Sequence, residues 1–362
     1  MNTPDTRPVL IMAGGTGGHI FPGLAVAAEL RAQGVAVEWL GAAGGMETTL
    51  VPKHGITLHT VAVRGLRGKG LKTRLLAPFM LARAVASALG VVRRAKPRSV
   101  LSMGGYAAGP GGLAAWLLRR PLLVHEQNRV PGVTNLTLAK LARRVLAGFA
   151  DAFEPARQAE WVGNPVRADI AALPVPAERM AGRGGPLHLL VLGGSLGARA
   201  LNERVPEALS RLPVPARPEV WHQCGKRGEA EAHAAYAKYA IEGRIAPFID
   251  DMAAAYAWAD LVVCRAGALT VAELAAAGLA SVLVPFPHAV DDHQTRNGAA
   301  LVEAGAARIV QERDMHEDTL AGVLAELFSE RARLVAMATA ARTLAKPDAA
   351  RTIATRCLEV GQ

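Results

Sequence analysis

Short apolar runs alternate with longer amphipathic stretches along most of the chain. Apolar runs of this length bounded by glycine are typical of buried parallel strands, and their alternation with helices indicates βαβ units. The pattern therefore predicts an α/β, doubly wound fold, with helices that include Leu24–Gln33, Gly111–Leu118 and Ala198–Leu209. The predicted strands are PVLIMA, VAVEWLG, SVLSM and PLLVHE in the first half, and LHLLVLGG, PEVWHQ, RIAPFID, DLVVC and SVLVPF in the second.

The alternation is interrupted at Leu173–Pro186, which is rich in proline and glycine, and then restarts. The restart, LHLLVLGGSLGARAL, echoes the earlier PVLIMAGGTGGHIFPGL: each reads strand, Gly-Gly, a hydroxyl residue, another glycine, then helix. We interpret the chain as two similar domains with parallel sheets facing a central cleft. Because such sheets bind ligands beyond the carboxyl ends of their strands, both glycine turns are expected to face that cleft.

The composition is that of a globular protein with an aliphatic core. The chain has 362 residues, of which 51% are hydrophobic and only 4% aromatic, so Ala, Leu and Val must fill the interior. Three widely spaced cysteines without a CxxC pair indicate reduced thiols in a cytoplasm rather than disulfides or a zinc cluster. The ten histidines form no HExxH pair, and no apolar run of a secretory signal precedes the first strand.

The net charge of +10 is concentrated in one part of the sequence. No acidic residue occurs between Glu47 and Glu126, whereas lysine and arginine recur throughout that stretch. Such a face is expected to meet something negatively charged, either nucleic acid or anionic lipid.

The two glycine turns favour an anionic ligand. A glycine-rich turn from strand to helix lets backbone N–H groups approach an anion at the positive end of the helix. From Gly15 the dinucleotide pattern G-x-G-x-x-G would require glycine at Ile20, and no Walker lysine follows either turn. The sequence therefore disfavours an NAD enzyme and a P-loop nucleotide hydrolase.

The second glycine turn also matches a motif of another class of enzyme. GGSLG at Gly193–Gly197 also fits G-x-S-x-G, the nucleophile elbow of α/β-hydrolases, with Ser195 as nucleophile and Asp260 and His293 as partners. Against that alternative, a whole βαβ domain precedes the elbow and the chain has no HGGG-type oxyanion loop.

Seven stretches together closely resemble the MurG family of the GT-B glycosyltransferases, in the family's order and over nearly the whole chain. They are GGTGGHIFPGLAVA, GGYAAGPGGLAAW, HEQN, VGNPVR, GGSLGA, FIDDMAAAYAWADLVVCRAGALTVAE and DDHQTRN. The resemblance implies two Rossmann-like domains, with an acceptor- and membrane-binding domain at 1–166 and a UDP-GlcNAc-binding domain at 167–345. Residues 346–362 are expected to form a helix that returns to the first domain.

The family's reaction implies the substrates and partners that we expect. GlcNAc passes, with inversion, from UDP-GlcNAc to the C4 hydroxyl of the muramoyl group in undecaprenyl-diphospho-muramoyl-pentapeptide. The expected partners are these two substrates, an anionic membrane surface and other cell-wall enzymes, without nucleic acid. The alternatives are a GT-B transferase with another acceptor, the serine hydrolase, and a basic, non-catalytic module that binds membrane or nucleic acid.

The resemblance also assigns substrate-binding residues where the motifs match. They are the first-domain loop Thr16, Gly17 and Gly18; Asn128 at the GlcNAc; Arg167 and Ser195 at the donor; Ile249 at the uracil; Ala268, Leu269, Thr270, Val271, Ala272 and Glu273 at the nucleotide and phosphates; and Gln294 at the donor sugar. The sequence departs from the family at Leu196, where Gln is usual, and at Ala266, where Ser is common. Both departures replace a polar residue of the family by an apolar one near the diphosphate.

The chemistry of three of these residues agrees with their assigned roles. The carboxylate of Glu273 can accept hydrogen bonds from both ribose hydroxyls, and Gln294 can donate and accept, which suits a sugar. The guanidinium of Arg167 could reach the donor. The alternatives are a solvated helix residue for Glu273 and Gln294, and an interdomain salt bridge for Arg167.

The reaction needs a base and a means to stabilise the departing diphosphate. His19 is the predicted base, with substrate binding as the alternative role, and His125 is a second candidate that is more apt to be buried. No DxD-like pair stands out to hold a metal, so no cofactor is expected, although assistance by a divalent ion stays open. Helix starts at Ser195–Ala198 and Thr270–Glu273 would supply the stabilisation instead.

The most apolar stretch, Leu75–Val92, is interrupted by Pro78 and Arg83, which disfavours a transmembrane helix. We expect an interfacial patch that holds the protein peripherally at the cytoplasmic face of the membrane. The alternative is an amphipathic helix packed on its own sheet. The predicted patch residues are Leu75, Leu76, Phe79, Met80 and Trp116, with the cations Lys69, Lys72, Arg74 and Arg83.

Overall fold

The computed structural model describes residues 5–63, 71–194 and 197–361, and only the backbone of residues 71–77, 290 and 317. The chain divides into two compact units. The first comprises Met1–Pro165 and Asp348–Gln362, and the second comprises Val166–Pro347.

The described residues of the first unit form a seven-stranded parallel sheet. Its strands are β1 (Val9–Ala13), β2 (Val37–Ala42), β3 (Thr57–Val61), β4 (Ser99–Gly104), β5 (Leu122–Glu126), β6 (Arg144–Ala147) and β7 (Glu160–Trp161), in the order β3-β2-β1-β4-β5-β6-β7. The helices between them are α1 (Gly17–Ala32), α2 (Glu47–Lys53), α3 (Leu71–Ala95), α4 (Ala108–Leu117) and α5 (Val133–Leu138).

The second unit is built around a six-stranded parallel sheet, counted over its described residues. Its strands are β8 (His188–Leu192), β9 (Glu219–Gln223), β10 (Arg244–Ala246), β11 (Leu261–Cys264), β12 (Ala280–Leu283) and β13 (Ala307–Ile309), in the order β10-β9-β8-β11-β12-β13. Its helices are α6 (Ala168–Ala171), α7 (Pro176–Arg179), α8 (Arg199–Ser210), α9 (Glu229–Lys238), α10 (Met252–Trp258), α11 (Ala268–Ala277), α12 (His293–Glu303), α13 (Glu317–Phe328) and α14 (Arg331–Thr343).

The last helix, α15 (Ala349–Val360), packs on α1 of the first unit. Ile353 and Cys357 of α15 are fully buried in the same apolar cluster as Ile11 of β1 and Trp39 of β2. The opposite face of the sheet is covered by α3 and α4, which bury Leu10 and Met12 of β1. Alternate residues of β1 thus serve two separate cores, which explains why this strand reads as a continuous apolar run.

The predicted α/β fold with two parallel sheets is confirmed. Each apolar run that was predicted to be a strand contains a strand of the structure. Four further strands were missed: β3, β6, β7 and β13. The prediction for the first helix was wrong at its start, because α1 begins at Gly17 rather than near Leu24.

Candidate functional site

The first glycine loop joins β1 to α1 at the carboxyl end of the strand. Gly15 has a φ of 89°, which favours glycine, and Thr16 in extended conformation precedes α1. The next strand in the sheet, β4, ends at Gly104, and both Gly104 and the following Gly105 have positive φ. A Cβ on Gly105 would lie 2.3 Å from the carbonyl oxygen of Gly14, so the two loops pack backbone against backbone.

His19 lies in the first turn of α1 and is half-buried. Its Nδ1 is 3.3 Å from the carbonyl oxygen of Gly14 and 3.4 Å from Oγ1 of Thr16. Because a carbonyl can only accept, we assign the proton to Nδ1, which leaves Nε2 in its accepting form. The ring borders the β4 loop, where a Cβ on Gly104 would lie 3.2 Å from Nε2.

His125 in β5 is buried and has a structural environment. Its Nε2 donates to the carbonyl of Gly163 at 2.9 Å, and its Nδ1 lies 3.0 Å from Nε2 of Gln127. Burial lowers the pKa of His125 to about 4, which keeps the ring neutral. This side chain, the second candidate base, therefore lies in the core, away from solvent.

The loop after β5 is held by the buried carboxylate of Glu126. Its Oε1 accepts from the backbone N–H and the side-chain amide of Asn128, at 2.9 and 3.1 Å. Its Oε2 accepts from the backbone N–H of Gly132 at 3.1 Å and from Nδ2 of Asn135 at 3.0 Å. Asn128, predicted to contact the sugar, is thus fixed by a neighbour that the sequence analysis did not single out.

The second glycine loop follows β8 and is braced by Gln223, the last residue of β9. Oε1 of Gln223 accepts from the N–H of Gly194 at 3.0 Å, and Nε2 donates to the carbonyl of Gly194 at 3.0 Å. The loop resumes at Gly197, where a Cβ would lie 2.4 Å from the carbonyl oxygen of Cys224. Ser195 and Leu196 lie outside the described residues.

Residues Ala268–Glu273 form the first turns of α11, after Gly267. The side chain of Glu273 is about a fifth exposed (20%) and accepts a hydrogen bond of 3.0 Å from the hydroxyl of Tyr256. Arg167, also in the second unit, forms an ion pair with it at 3.5 Å. Burial raises the pKa of Glu273 above its usual range, against the opposing effect of Arg167. Glu273 therefore presents an oriented carboxylate beside the start of α11.

Gln294, the second residue of α12, is oriented by two backbone donors. Its Oε1 accepts from the N–H of Phe286 at 2.9 Å and from that of Ala266 at 3.3 Å. The preceding residues Asp291 and Asp292 both have left-handed backbone conformations, with φ of 54° and 50°, which are strained for residues other than glycine. The strained residue Asp292 thus lies two positions before the predicted sugar-binding residue.

Ile249, the predicted uracil contact, is buried and lies in the segment that joins β10 to α10. Asp251 caps α10 by accepting from the N–H of Ala254 at 2.8 Å. In the described part of the chain, no three His, Cys, Asp or Glu side chains cluster as a metal site requires.

Asp260, the acidic partner in the serine hydrolase alternative, lies at the opposite end of the sheet from the second glycine loop. Asp260 accepts from the N–H of His188, the first residue of β8, at 3.0 Å, whereas the glycine loop follows the last residue of that strand. Five residues of strand separate the two by roughly 16 Å. Asp260 is fully buried in ion pairs with Arg183 and Arg331, so its role is structural.

An apolar surface is exposed on α3 and α4, which pack together. Phe79 is 71% exposed, Trp116 is 48% exposed, and Met80 is also exposed, with Arg83 exposed nearby on α3. Leu81 and Leu117, which the sequence analysis did not name, extend this surface. Lys69 lies outside the described residues, and the side chains of Lys72, Arg74, Leu75 and Leu76 are not described. In the described residues, no helix is long and apolar enough to cross a membrane.

Comparison with known proteins places these features in a family. Residues 9–147 match the glycosyltransferase family 28 N-terminal domain, and residues 188–353 match the glycosyltransferase family 28 C-terminal domain. The crystal structure of Acinetobacter baumannii MurG superposes with a TM-score of 0.87 at 41% identity, covering 98% of this chain and 99% of that one.

Two relatives are named "UDP-N-acetylglucosamine--N-acetylmuramyl-(pentapeptide) pyrophosphoryl-undecaprenol N-acetylglucosamine transferase". That of Xanthomonas campestris pv. campestris (strain 8004) is 62% identical over 97% of this chain and 81% of its own length. That of Xylella fastidiosa (strain M12) is 59% identical over 98% of this chain and 96% of its own.

The two α/β units and their similarity to known structures define a glycosyltransferase of the GT-B class. More closely, the chain belongs to glycosyltransferase family 28.

Proposed function

We propose that this enzyme transfers GlcNAc from UDP-GlcNAc to undecaprenyl-diphospho-muramoyl-pentapeptide, which converts lipid I to lipid II. The observation that carries this proposal is the 59–62% identity, over nearly the whole chain, to relatives named for that reaction. The oriented side chains of Glu273 and Gln294 support a nucleotide-sugar site in the second unit.

In this proposal the second unit holds the donor. The start of α11 and the braced loop at Gly193–Gly194 direct backbone N–H groups and helix dipoles toward the diphosphate, which stabilises the departing UDP. Glu273 accepts from the ribose hydroxyls, Ile249 contacts the uracil, and Gln294 contacts the sugar. Arg167 and Ser195 complete the donor contacts.

The first unit supplies the base and the acceptor site. Nε2 of His19 takes the proton from the C4 hydroxyl as that oxygen attacks C1 of GlcNAc from the face opposite UDP, which inverts the anomeric carbon. Thr16, with Gly17 and Gly18 at the start of α1, and Asn128 on the loop after β5 are the residues that we assign to acceptor and sugar. The exposed apolar surface of α3 and α4 would rest in the cytoplasmic face of the membrane, where the lipid acceptor resides.

Release of UDP tests the reaction. We expect UDP to appear only when UDP-GlcNAc and the lipid-linked muramoyl acceptor are both present. Release with a different sugar acceptor alone would overturn the acceptor assignment, and release without any acceptor would indicate a hydrolase.

Substitution of the proposed base tests the role of His19. His19→Ala should lower kcat by about 10²–10⁴-fold while KM for UDP-GlcNAc changes little, because a general base acts only in the transition state. His54→Ala is the matched control, since that ring lies beyond α2 in the same unit. A rise in KM at unchanged kcat would show that His19 binds substrate instead.

A further inference from the structure

A fully buried carboxylate, Glu47, lies beneath the first glycine loop. The residue is in the first turn of α2. Its Oε1 accepts from the N–H of Ala42 at 2.7 Å, and its Oε2 accepts from the N–H of Gly15 at 3.1 Å. In the described chain, both donors to this carboxylate are backbone N–H groups. Burial of a carboxylate is costly without such bonds, so its place beside the site requires a reason.

Three glycines leave the space that the Glu47 side chain occupies. A Cβ on Gly14, Gly41 or Gly45 would lie 2.2, 2.5 or 2.4 Å from an atom of that side chain. These residues come from the loop after β1, from β2 and from the loop before α2. Glu47 therefore fits a slot that any larger residue at these positions would fill.

One peptide group connects this carboxylate to the proposed base. The N–H of Gly15 and the carbonyl of Gly14 belong to the same peptide bond. Its N–H donates to Oε2 of Glu47, and its carbonyl lies 3.3 Å from Nδ1 of His19. Hydrogen bonds arranged in a chain polarise one another, so a negative charge at the N–H end makes the carbonyl a stronger acceptor.

We propose that Glu47 is a positioning residue that acts on His19 through the Gly14–Gly15 peptide. By strengthening the carbonyl as an acceptor, it keeps the proton on Nδ1 and leaves Nε2 to take the proton of the attacking hydroxyl. Its charge also favours the imidazolium that forms at that moment. This inference rests on the proposed function, in which His19 is the base.

The tautomer of His19 can be measured without the reaction. Long-range ¹H–¹⁵N NMR spectra of the wild-type protein should show that Nδ1 of His19 is protonated and Nε2 is not. The His19 signals are identified by their loss in His19→Gln. Glu47→Gln should shift the His19 ring toward a mixture of tautomers. An amide has only one acceptor oxygen for the N–H groups of Gly15 and Ala42, so it polarises the Gly14–Gly15 peptide less. A wild-type ring protonated at Nε2, or an unchanged tautomer in folded Glu47→Gln, would overturn the inference.

Kinetics then test whether the tautomer matters. Glu47→Gln should lower kcat by roughly 10- to 100-fold, the scale of a small misplacement in a catalytic site, and leave KM for UDP-GlcNAc within about threefold, because that donor is assigned to the second unit. The acid limb of the kcat profile should move to lower pH, since loss of the buried charge lowers the pKa of the imidazole. Glu47→Asp, which keeps the charge, should recover part of the rate.

A double variant separates positioning from a structural effect. If Glu47 acts through His19, adding Glu47→Gln to His19→Ala should cause little further loss. Glu38→Gln is the matched control, because that carboxylate lies on β2 and pairs with His59 at 2.6 Å. Glu47 would be a structural residue if the two losses in kcat multiply in the double variant. The same would follow if the lower rate of Glu47→Gln is fully explained by a smaller folded fraction, measured by thermal unfolding. If lipid II formation itself is absent, the NMR result still decides the inference about the tautomer.

Discussion

At the scale of single residues, polar side chains that are buried or partly buried hold the loops that carry the site. Glu126 binds the loop after β5, Gln223 binds the second glycine loop, and Gln294 accepts from two backbone N–H groups. Each contact satisfies loop backbone groups that would otherwise lack partners away from water. The loops are therefore fixed before any substrate arrives, which reduces the entropy lost on binding.

The hydroxyl of Tyr256 is one such contact, and its removal should be measurable. Tyr256→Phe should weaken the binding of UDP about 3- to 10-fold, since a hydrogen bond to a charged group contributes roughly 1.5–3 kcal/mol and part of that is recovered by Arg167. Isothermal titration with UDP measures the change. Tyr239→Phe, which removes a hydroxyl that donates to Glu207 of α8, should bind UDP like the wild type.

The protonation of Glu273 should make donor binding depend on pH. Since burial raises its pKa, the carboxylate takes up a proton at a higher pH than an exposed glutamate does. Affinity for UDP should therefore fall as the pH drops toward that raised pKa. Glu273→Gln should bind UDP more weakly at neutral pH and lack this part of the pH dependence. Equal pH dependence in both proteins would argue against Glu273 as a ribose ligand.

At the scale of elements, the apolar pattern predicted the central strands because both of their faces are buried. Edge strand β3, TLHTV, was missed because it is polar and partly exposed. The start of α1 was missed because Gly17, Gly18 and Pro22 are poor helix formers, and the burial of Ile20 outweighs that propensity.

Contacts that depend on topology could not be predicted from the sequence. The histidine and the glycine turns carry recognisable patterns, whereas the partners that hold them lie far away in the chain. Glu47 is 32 residues from Gly15, and Gln223 is 29 from Gly194. Only the order of strands in the sheets brings these pairs together.

The packing of α15 on the first unit gives a prediction for that element. Ile353→Ala should destabilise the first unit by about 2–4 kcal/mol, because it removes a fully buried side chain from the core. Hydrogen exchange measured on peptides of α1 should rise accordingly. Thr355→Ala, on the exposed side of the same helix, should change exchange little.

At the scale of the whole molecule, the positive charge and the exposed apolar surface of α3 and α4 together predict binding to anionic lipid. Co-sedimentation with vesicles of phosphatidylglycerol should exceed that with neutral lipid and should weaken with salt. Phe79→Ser should weaken vesicle binding about 10-fold or more, because the aromatic side chain that would be buried in the lipid is lost. Val214→Ser, an exposed position in the second unit, is the control. Vesicle binding that depends neither on lipid charge nor on Phe79 would argue against a membrane role for this surface.

The return of α15 to α1 has a consequence for biosynthesis. A ribosome completes the seven strands of the first unit early, yet the helix that seals one face of their sheet is translated only after residues 166–347. At roughly 5–20 residues per second, that interval lasts on the order of ten seconds or more. Ile11 and Trp39 belong to the core that α15 completes, so the nascent chain carries an unfinished apolar surface there throughout that time. Chaperones that act during translation would find their target on this face.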